Sequence, residues 1–263
     1  MSSISRRGFV IGTSAVGIAG TQSGCKEAVA QNTWRPLPVG SKIDICGIKY
    51  EAECGSNPLA IKAYNSKFVQ FTMIPGNGWV EDDPDSNGNE RAELDGWKTR
   101  FPPKAVLWAA WSMYYEPGPW STSDWCILRQ IYPWSGLVLK PGGVLHWVGG
   151  AKGGPRDSFP SRFHTKLEQG TWLHIVERVV LDPDGGEGHW QSWLNGQKVL
   201  DIAAPFGTSG KKEYWFKFGI YRGKQGYNSA PVKEIVSIKY ANVRFGTDDL
   251  SALISAPDSV EMA

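Results

Sequence analysis

The sequence has few cysteines and few histidines, four of each among 263 residues, and no large excess of charge of either sign. Its formal net charge is +2, from 28 basic and 26 acidic residues. Such a balance argues against nucleic-acid binding through a broad basic surface, although a local cluster of Arg and Lys can still bind an acidic glycan. No apolar run approaches the roughly 18 residues that a membrane-spanning helix needs. We therefore expect neither a nucleic-acid partner nor a membrane span.

The sequence also lacks a long apolar stripe at helical spacing. Its 31 Gly and 17 Pro separate short segments rich in aromatic and β-branched residues, which is typical of strands joined by turns. Predicted strands include 68–74, 106–115 and 125–132, and Asn195-Gly196 predicts a tight hairpin turn. A strand over 236–245 changes phase near Ala241-Asn242, as a β-bulge would. We predict an all-β fold of two packed antiparallel sheets, with Trp172 and Trp193 in its core.

The N-terminus resembles an export signal. Arg6 and Arg7 precede Gly8 and Phe9, a weakly apolar stretch follows, and small residues end the segment at Ala30. This order indicates a twin-arginine signal over residues 1–30 and a periplasmic or secreted product. Cleavage before Cys25, as in a lipoprotein, is the alternative, and Gln22 disfavours it. Removing the segment leaves 25 of the 28 basic residues and 25 of the 26 acidic residues.

The mature chain is predicted to hold one domain, residues 31–246, and a polar surface tail with a short helical turn, residues 247–263. Cys46 and Cys54 flank a predicted turn at 47–50, and in an oxidising compartment they could form a disulfide. Two unpaired core cysteines are the alternative.

Three segments combine an apolar face with a polar one: NERAEL (89–94), LRQIY (128–132) and FKFGIYR (216–222). Side chains alternate between the two faces of a strand. The polar face therefore receives Arg91 and Glu93, Gln130 and Tyr132, and Lys217, Gly219 and Tyr221.

These segments, in this order, resemble the R-x-E-L, Q-I-H-like and Y-F-K-x-G-x-Y-like strands of polysaccharide lyases of the heparin lyase I, glucuronan lyase and alginate lyase type. The resemblance spans residues 79–245. It implies a β-jelly roll, a concanavalin-like sandwich of two antiparallel sheets. It also implies β-elimination at a 4-linked uronic acid of an anionic polysaccharide, without a cofactor. We expect a monomer.

The resemblance also implies roles for single residues. Arg91 and Gln130 would bind the uronate carboxylate, and Glu93 would orient Arg91. Lys217 and Arg222 would add positive charge for the substrate, and Gly219 would leave space for a sugar ring. Tyr221 would be the acid that protonates the leaving oxygen, or both acid and base.

The identity of the base stays open, because Tyr132 stands where the alginate lyases have a catalytic His. Tyr132 is one candidate. His146 and His164, which flank the Gly-rich stretch 149–154, are others, and we favour His146 of the two. The same departure at Tyr132 favours a glucuronate-containing glycan over alginate.

Two other functions compete with a lyase. A retaining glucanase would carry E-x-D-x-x-E on one strand, and Glu93-Leu94-Asp95 begins that motif, but Lys98 stands where the second Glu belongs. A carbohydrate-binding module would use aromatic residues and would not need Arg91, Gln130 and Tyr221 together. The loop 83–88 begins like a calcium loop, but Leu94 occupies the position of its closing Glu, so no metal site is predicted.

Overall fold

The computed structural model describes residues 33–64, 66–78, 89–153, 160–226 and 230–260. The predicted signal segment and the loop 83–88 lie outside the described residues.

Strands dominate the described chain, and one short helix follows them. In chain order the elements are β1 (Arg35–Pro36), β2 (Lys42–Ile45), β3 (Ile48–Cys54), β4 (Ile61–Ala63), β5 (Phe68–Met73), β6 (Glu90–Asp95), β7 (Val106–Tyr115), β8 (Cys126–Tyr132), β9 (Ser135–Lys140), β10 (Val144–Gly149), β11 (Ala151–Lys152), β12 (Ser161–Lys166), β13 (Trp172–Val180), β14 (His189–Leu194), β15 (Gln197–Ala203), β16 (Gly207–Thr208), β17 (Trp215–Arg222), β18 (Val236–Gly246) and α1 (Ala252–Ser255).

The strands form two eight-stranded antiparallel sheets. Sheet I has the order β1-β4-β5-β18-β7-β13-β14-β15, and sheet II has the order β12-β10-β9-β8-β17-β6-β3-β2. The short strands β11 and β16 form a separate parallel pair. The predicted all-β class with two antiparallel sheets is confirmed.

The core lies between the two sheets and is rich in aromatic side chains. Trp134, Trp147 and Trp190 are fully buried, and Phe218 of sheet II packs against Phe71 and Tyr240 of sheet I. Burying a large apolar side chain contributes about 1.5–3 kcal/mol each. These contacts hold sheet II, which carries the candidate site, against sheet I.

A buried ion pair also joins the sheets. Arg129 on β8 bonds to Glu177 on β13, and both side chains are fully buried. Ser135 accepts a hydrogen bond of 2.9 Å from Arg129, and Ser192 donates one of 3.1 Å to Glu177. Burial lowers the pKa of Arg129 and raises that of Glu177, so each charge depends on the other.

Two predicted local features are confirmed. β14 turns into β15 at Asn195-Gly196, where both residues have positive φ, 47° and 81°. Such a pair is typical of a type I′ hairpin turn. The register of β18 shifts between Ala241 and Arg244, at the predicted bulge.

Two expectations need correction. Cys54 is a free, buried thiol, so the bridge between Cys46 and Cys54 is absent. The C-terminal segment is more than a polar tail, because Leu253 and Ile254 pack on Trp108 and Val176, on the outer face of sheet I. Among the described residues, no helix is long and apolar enough to cross a membrane.

Candidate functional site

The three polar segments form adjacent strands of sheet II, in the order β8-β17-β6. Lys217 lies opposite both Gln130 and Asp95, and Tyr221 lies opposite Arg91. Residues paired across strands share a face. The alternate residues of these strands, Ala92, Leu94, Phe216 and Phe218 among them, enter the core. The polar set therefore lies on the face of sheet II that points away from sheet I.

Two cations converge on one carboxylate of this face. Glu53, on β3, accepts hydrogen bonds at Oε2 from Arg91 Nη1 at 2.8 Å and from Lys217 Nζ at 2.6 Å. Lys217 Nζ also lies 3.0 Å from Asp95 Oδ2. Arg91 and Lys217 come from different strands, yet their charged tips meet at Glu53 Oε2. The arrangement is a preformed anion-binding position that Glu53 fills.

Glu93 orients the neighbouring donors. Gln130 Nε2 donates to Glu93 Oε1 at 2.9 Å, and Arg91 Nη1 lies 3.3 Å from Glu93 Oε2. The Glu93 side chain is fully buried, so it does not reach solvent itself. It contacts both Arg91 and Gln130, and its role in orienting Arg91 stays a prediction.

The cluster contains three carboxyl groups and two cations in a mostly dry environment, which shifts their pKa values. Burial raises the pKa of Glu93, and it raises that of Asp95 to about 7. Burial alone would raise the pKa of Glu53, but Lys217 and other partners bring this pKa below its usual value. Burial alone would lower the pKa of Lys217, and the surrounding carboxylates raise it. Asp95 therefore exchanges its proton near neutral pH while Lys217 stays charged.

Tyr221 lies beside this cluster. The Arg91 guanidinium lies 4.0 Å from the centroid of its ring, Trp125 packs edge-on against it at 5.0 Å, and Asn89 Nδ2 donates to its hydroxyl oxygen at 3.2 Å. These contacts fix the ring on two sides. Tyr221 is the residue of this face best placed to move a proton.

Tyr132 is the last residue of β8 and lies beside the first residue of β17. It is 38 % exposed, lies opposite Trp215, and its ring centroid is 5.6 Å from Lys217 Nζ. Trp215 and Tyr221 are six positions apart on β17, roughly 20 Å along the backbone at about 3.3 Å per residue. Tyr132 therefore lies on the Lys217 side of the cluster, whereas Tyr221 lies beside Arg91. The role of Tyr132 as the base stays a prediction.

His146 shares the face but is also distant from Tyr221. The paired row runs from Tyr221 through Ile127 and Val138 to His146, three strand spacings or about 14 Å. His146 Nδ1 lies 2.9 Å from Ser161 Oγ, and its ring stacks on His164 at 5.3 Å. Burial, with His164 and Lys140, lowers the pKa of His146. His146 therefore lies three strands from Tyr221 with its imidazole bonded toward β12, and its role as the base stays a prediction.

Arg222 does not reach this face, and its predicted substrate contact is wrong. It is fully buried, bonds Glu90 Oε2 through Nε at 2.6 Å and donates to the Glu234 carbonyl at 3.1 Å. The cause is strand alternation, since Arg222 follows Tyr221 and therefore points inward.

Gly219 is explained by the backbone rather than by space for a sugar. Its φ is 143°, and a Cβ there would lie 2.3 Å from the Ala92 carbonyl oxygen. A side chain would therefore collide with the adjacent strand β6.

The sequence interpretation missed three members of the site, Glu53, Asp95 and Asn89. Asp95 continues the alternation of Arg91 and Glu93, and it could have been found from that signal. Glu53 alternates with apolar residues on β3, but its place depends on the pairing of β3 with β6. Among the described residues, no group of three or more His, Cys, Asp or Glu is arranged to hold a metal ion.

Comparisons with known proteins agree with this fold. A model of the polysaccharide lyase family matches residues 141–236. The fold is similar to that of an endo-β-1,4-glucuronan lyase from the fungus Trichoderma reesei, at 11 % identity and a TM-score of 0.52 over 82 % of this chain and 95 % of that one. No curated protein sequence matches.

Alginate lyases also share the fold. Alginate lyase A1-II′, a member of polysaccharide lyase family 7, aligns at 16 % identity with a TM-score of 0.53, over 82 % of this chain and 94 % of that one. Alginate lyase Aly36B aligns at 12 % identity with a TM-score of 0.51, over 73 % and 84 %.

The fold predicted from the sequence is confirmed, because it is the jelly roll of these lyases. The match of residues 141–236 to the polysaccharide lyase model agrees with the predicted resemblance. The matched residues include β17 with Lys217 and Tyr221, whereas Arg91 and Gln130 precede them.

Proposed function

We propose that this protein is an exported lyase that cleaves a 4-linked uronic-acid-containing glycan, glucuronan-like or heparin-like, by β-elimination. The observation that carries the proposal is the convergence of Arg91, Lys217 and Gln130 beside Tyr221. This set supplies cationic and amide donors for a carboxylate together with a proton-transfer group.

The first requirement of the reaction is neutralisation of the uronate carboxylate. Removal of the C5 proton puts additional negative charge on a group that is already an anion, so donors fixed in advance lower the barrier. Glu53 shows where Arg91 and Lys217 hold a carboxylate. The substrate carboxylate would bind at this position, sharing the two cations with Glu53, while the Gln130 amide lies beside Lys217.

Tyr221 would then act as both base and acid. As a phenolate, its oxygen takes the C5 proton; the electrons of the C5–H bond form the C4–C5 double bond, and the C4–O4 bond breaks. The same proton then passes from Tyr221 to the departing O4. No water is consumed and no cofactor is required. The positions of Tyr132 and His146, away from Tyr221 along β17 and across the sheet, favour a single residue for both steps.

The substrate is proposed from chemistry and from relatives. The Trichoderma reesei protein is named as a glucuronan lyase, and two other similar structures are alginate lyases. Tyr132 stands where the alginate lyases have a His, and we therefore favour a glucuronate-containing chain. The N-terminal Arg6-Arg7 signal supports twin-arginine export to the periplasm or beyond.

The test is incubation of the purified protein with glucuronan, heparin, heparan sulfate and alginate, while following the ultraviolet absorbance of the conjugated 4,5-unsaturated uronate. We expect a rise with a glucuronate-containing polymer. Binding to such a polymer without any rise would contradict the lyase activity and favour a carbohydrate-binding protein.

A further inference from the structure

Beside the candidate site, the same face of sheet II contains a second, apolar site. We propose that this pocket binds a short acyl ester, such as acetyl, carried by a hydroxyl of the uronan. The inference rests on the proposed function and specifies which form of the polymer the enzyme prefers.

The pocket has a volume of about 260 Å³ and lies over β9, between β8 and β10. Its walls include Ile127, Val138 and Val148, with Pro133 at one side and Gln130 at the border with the candidate site. Ser135 also lines the pocket, but it is buried and accepts a hydrogen bond from Arg129. The exposed walls are therefore mostly apolar, and Gln130 belongs to both sites.

The floor of the pocket includes Gly136. This residue pairs with Gln130 on one side and Val148 on the other, so its missing side chain leaves a gap in that row. Gly136 is not among the glycines with positive φ, and a Cβ there would come no closer than 3.3 Å, to Val138 Cγ2. The backbone thus does not require a glycine here, and the gap reflects the choice of residue.

The lining restricts what can fill the pocket. Sugar hydroxyls and carboxylates would lose hydration without gaining partners from aliphatic walls. Trp134 contributes to the lining but its side chain is fully buried, so it presents no open ring face for a sugar to stack on. These features suit a methyl-bearing substituent of a polysaccharide.

The position suits an ester on the substrate itself. Gln130 lies opposite Lys217, where the uronate carboxylate would bind, and Gly136 lies one strand further, at about 4.8 Å. A hydroxyl on the bound sugar or on its neighbour would therefore hold an acyl group above the pocket.

The experiment compares O-acetylated glucuronan with the same preparation after mild alkaline deacetylation. We expect kcat/KM to be about ten-fold higher for the acetylated polymer, the discrimination that one methyl group in an apolar pocket provides. Equal values for both polymers would overturn the acyl pocket and leave the lyase proposal intact. Cleavage of neither polymer, nor of the other uronans, would overturn both.

Variants test whether the preference for the acetylated polymer depends on the pocket. Val148→Phe fills the pocket, and we expect the ratio of kcat/KM for acetylated over deacetylated polymer to fall toward one. Val144→Phe is the matched control, since Val144 is on the same strand and face but outside the pocket, and it should keep the ratio. If Val148→Phe does not fold, Val148→Asn makes the wall polar and should lower the ratio as well. A ratio unchanged in the folded Val148 variant would contradict the assignment.

Discussion

At the scale of single residues, the candidate site is governed by a shared carboxylate. Glu53 binds both Arg91 and Lys217, so the two cations are held together before any substrate arrives. Their convergence is what turns separate charges into an anion-binding position. Tyr221 lies next to it, with its ring beside the Arg91 guanidinium.

Replacing Tyr221 by Phe should abolish turnover and leave binding nearly intact. The ring and its packing on Trp125 remain, but the hydroxyl that moves the proton is gone, and proton transfer of this kind contributes about 10²- to 10⁴-fold to a rate. Steady-state kinetics and a binding isotherm on the same polymer check this. Tyr132→Phe is the matched control and should keep activity. A Tyr221→Phe enzyme with the wild-type rate would show that another group transfers the proton.

Asp95 should make stability depend on pH. Burial raises its pKa in the folded protein to about 7, whereas an unfolded carboxyl titrates near about 4. The folded state therefore retains a proton that the unfolded state has lost. This stabilisation is complete below roughly pH 4 and is lost as the pH rises through about 7.

Asp95→Asn removes that dependence, so the variant should lose less stability than the wild type between about pH 5 and about pH 8. Thermal unfolding at both values measures the difference. Asp124→Asn, at an exposed position, should behave like the wild type. If the Tm of Asp95→Asn falls as much as that of the wild type between these two pH values, the raised pKa of Asp95 is refuted.

Much of the site was predictable at this scale, and the errors have physical reasons. Alternation places Arg91 with Glu93, and Lys217 with Tyr221, on the polar face of their own strands. The resemblance to the lyases, not alternation, placed these faces and that of Gln130 side by side. Alternation also puts Arg222 inside, so its assignment to the substrate contradicted the pattern. Glu53 could not be assigned, because nothing local in the sequence says that β3 pairs with β6.

At the scale of elements, strands and turns were more predictable than their order. The predicted strand 106–115 matches β7, and the Asn195-Gly196 turn joins β14 to β15. The core was less predictable: Trp172 is only partly buried, and Trp193 stacks on Trp108 outside the main core. A Trp on a strand can face either way, and the face depends on which side the other sheet covers.

The buried pair between β8 and β13 should be essential for stability. Arg129→Met leaves Glu177 buried without its partner, which should cost about 3–5 kcal/mol of unfolding free energy. Denaturant unfolding measures this. The double variant Arg129→Met with Glu177→Leu should recover most of the loss, because no unpaired charge remains. As a control, Arg100→Met breaks an exposed pair with Glu213 and should cost no more than about 1 kcal/mol. A small loss in Arg129→Met alone would contradict the coupling.

At the scale of the whole molecule, the outer faces of the two sheets differ. Sheet II carries the candidate site on its outer face, and the outer face of sheet I is partly covered by the segment around α1 through Leu250, Leu253 and Ile254. Neither this covering nor the sheet order was readable from the sequence, because both depend on contacts between distant segments.

Export should depend on the two N-terminal arginines. The double variant Arg6→Lys with Arg7→Lys should accumulate inside the cell, because the twin-arginine pattern is the address that directs the folded protein outward. Fractionation followed by immunoblotting checks this. Lys26→Arg, in the same segment but outside the pattern, should be exported normally. Normal export of the double variant would contradict the proposed route.

The central claim is that this protein breaks a glycosidic bond by elimination rather than hydrolysis. The most direct measurement is mass spectrometry of the products formed from glucuronan in heavy-oxygen water. Elimination takes no oxygen from water, so we expect products without the label, each new non-reducing end carrying an unsaturated uronate. Incorporation of one labelled oxygen per cleavage, with saturated ends, would identify a hydrolase and contradict the account.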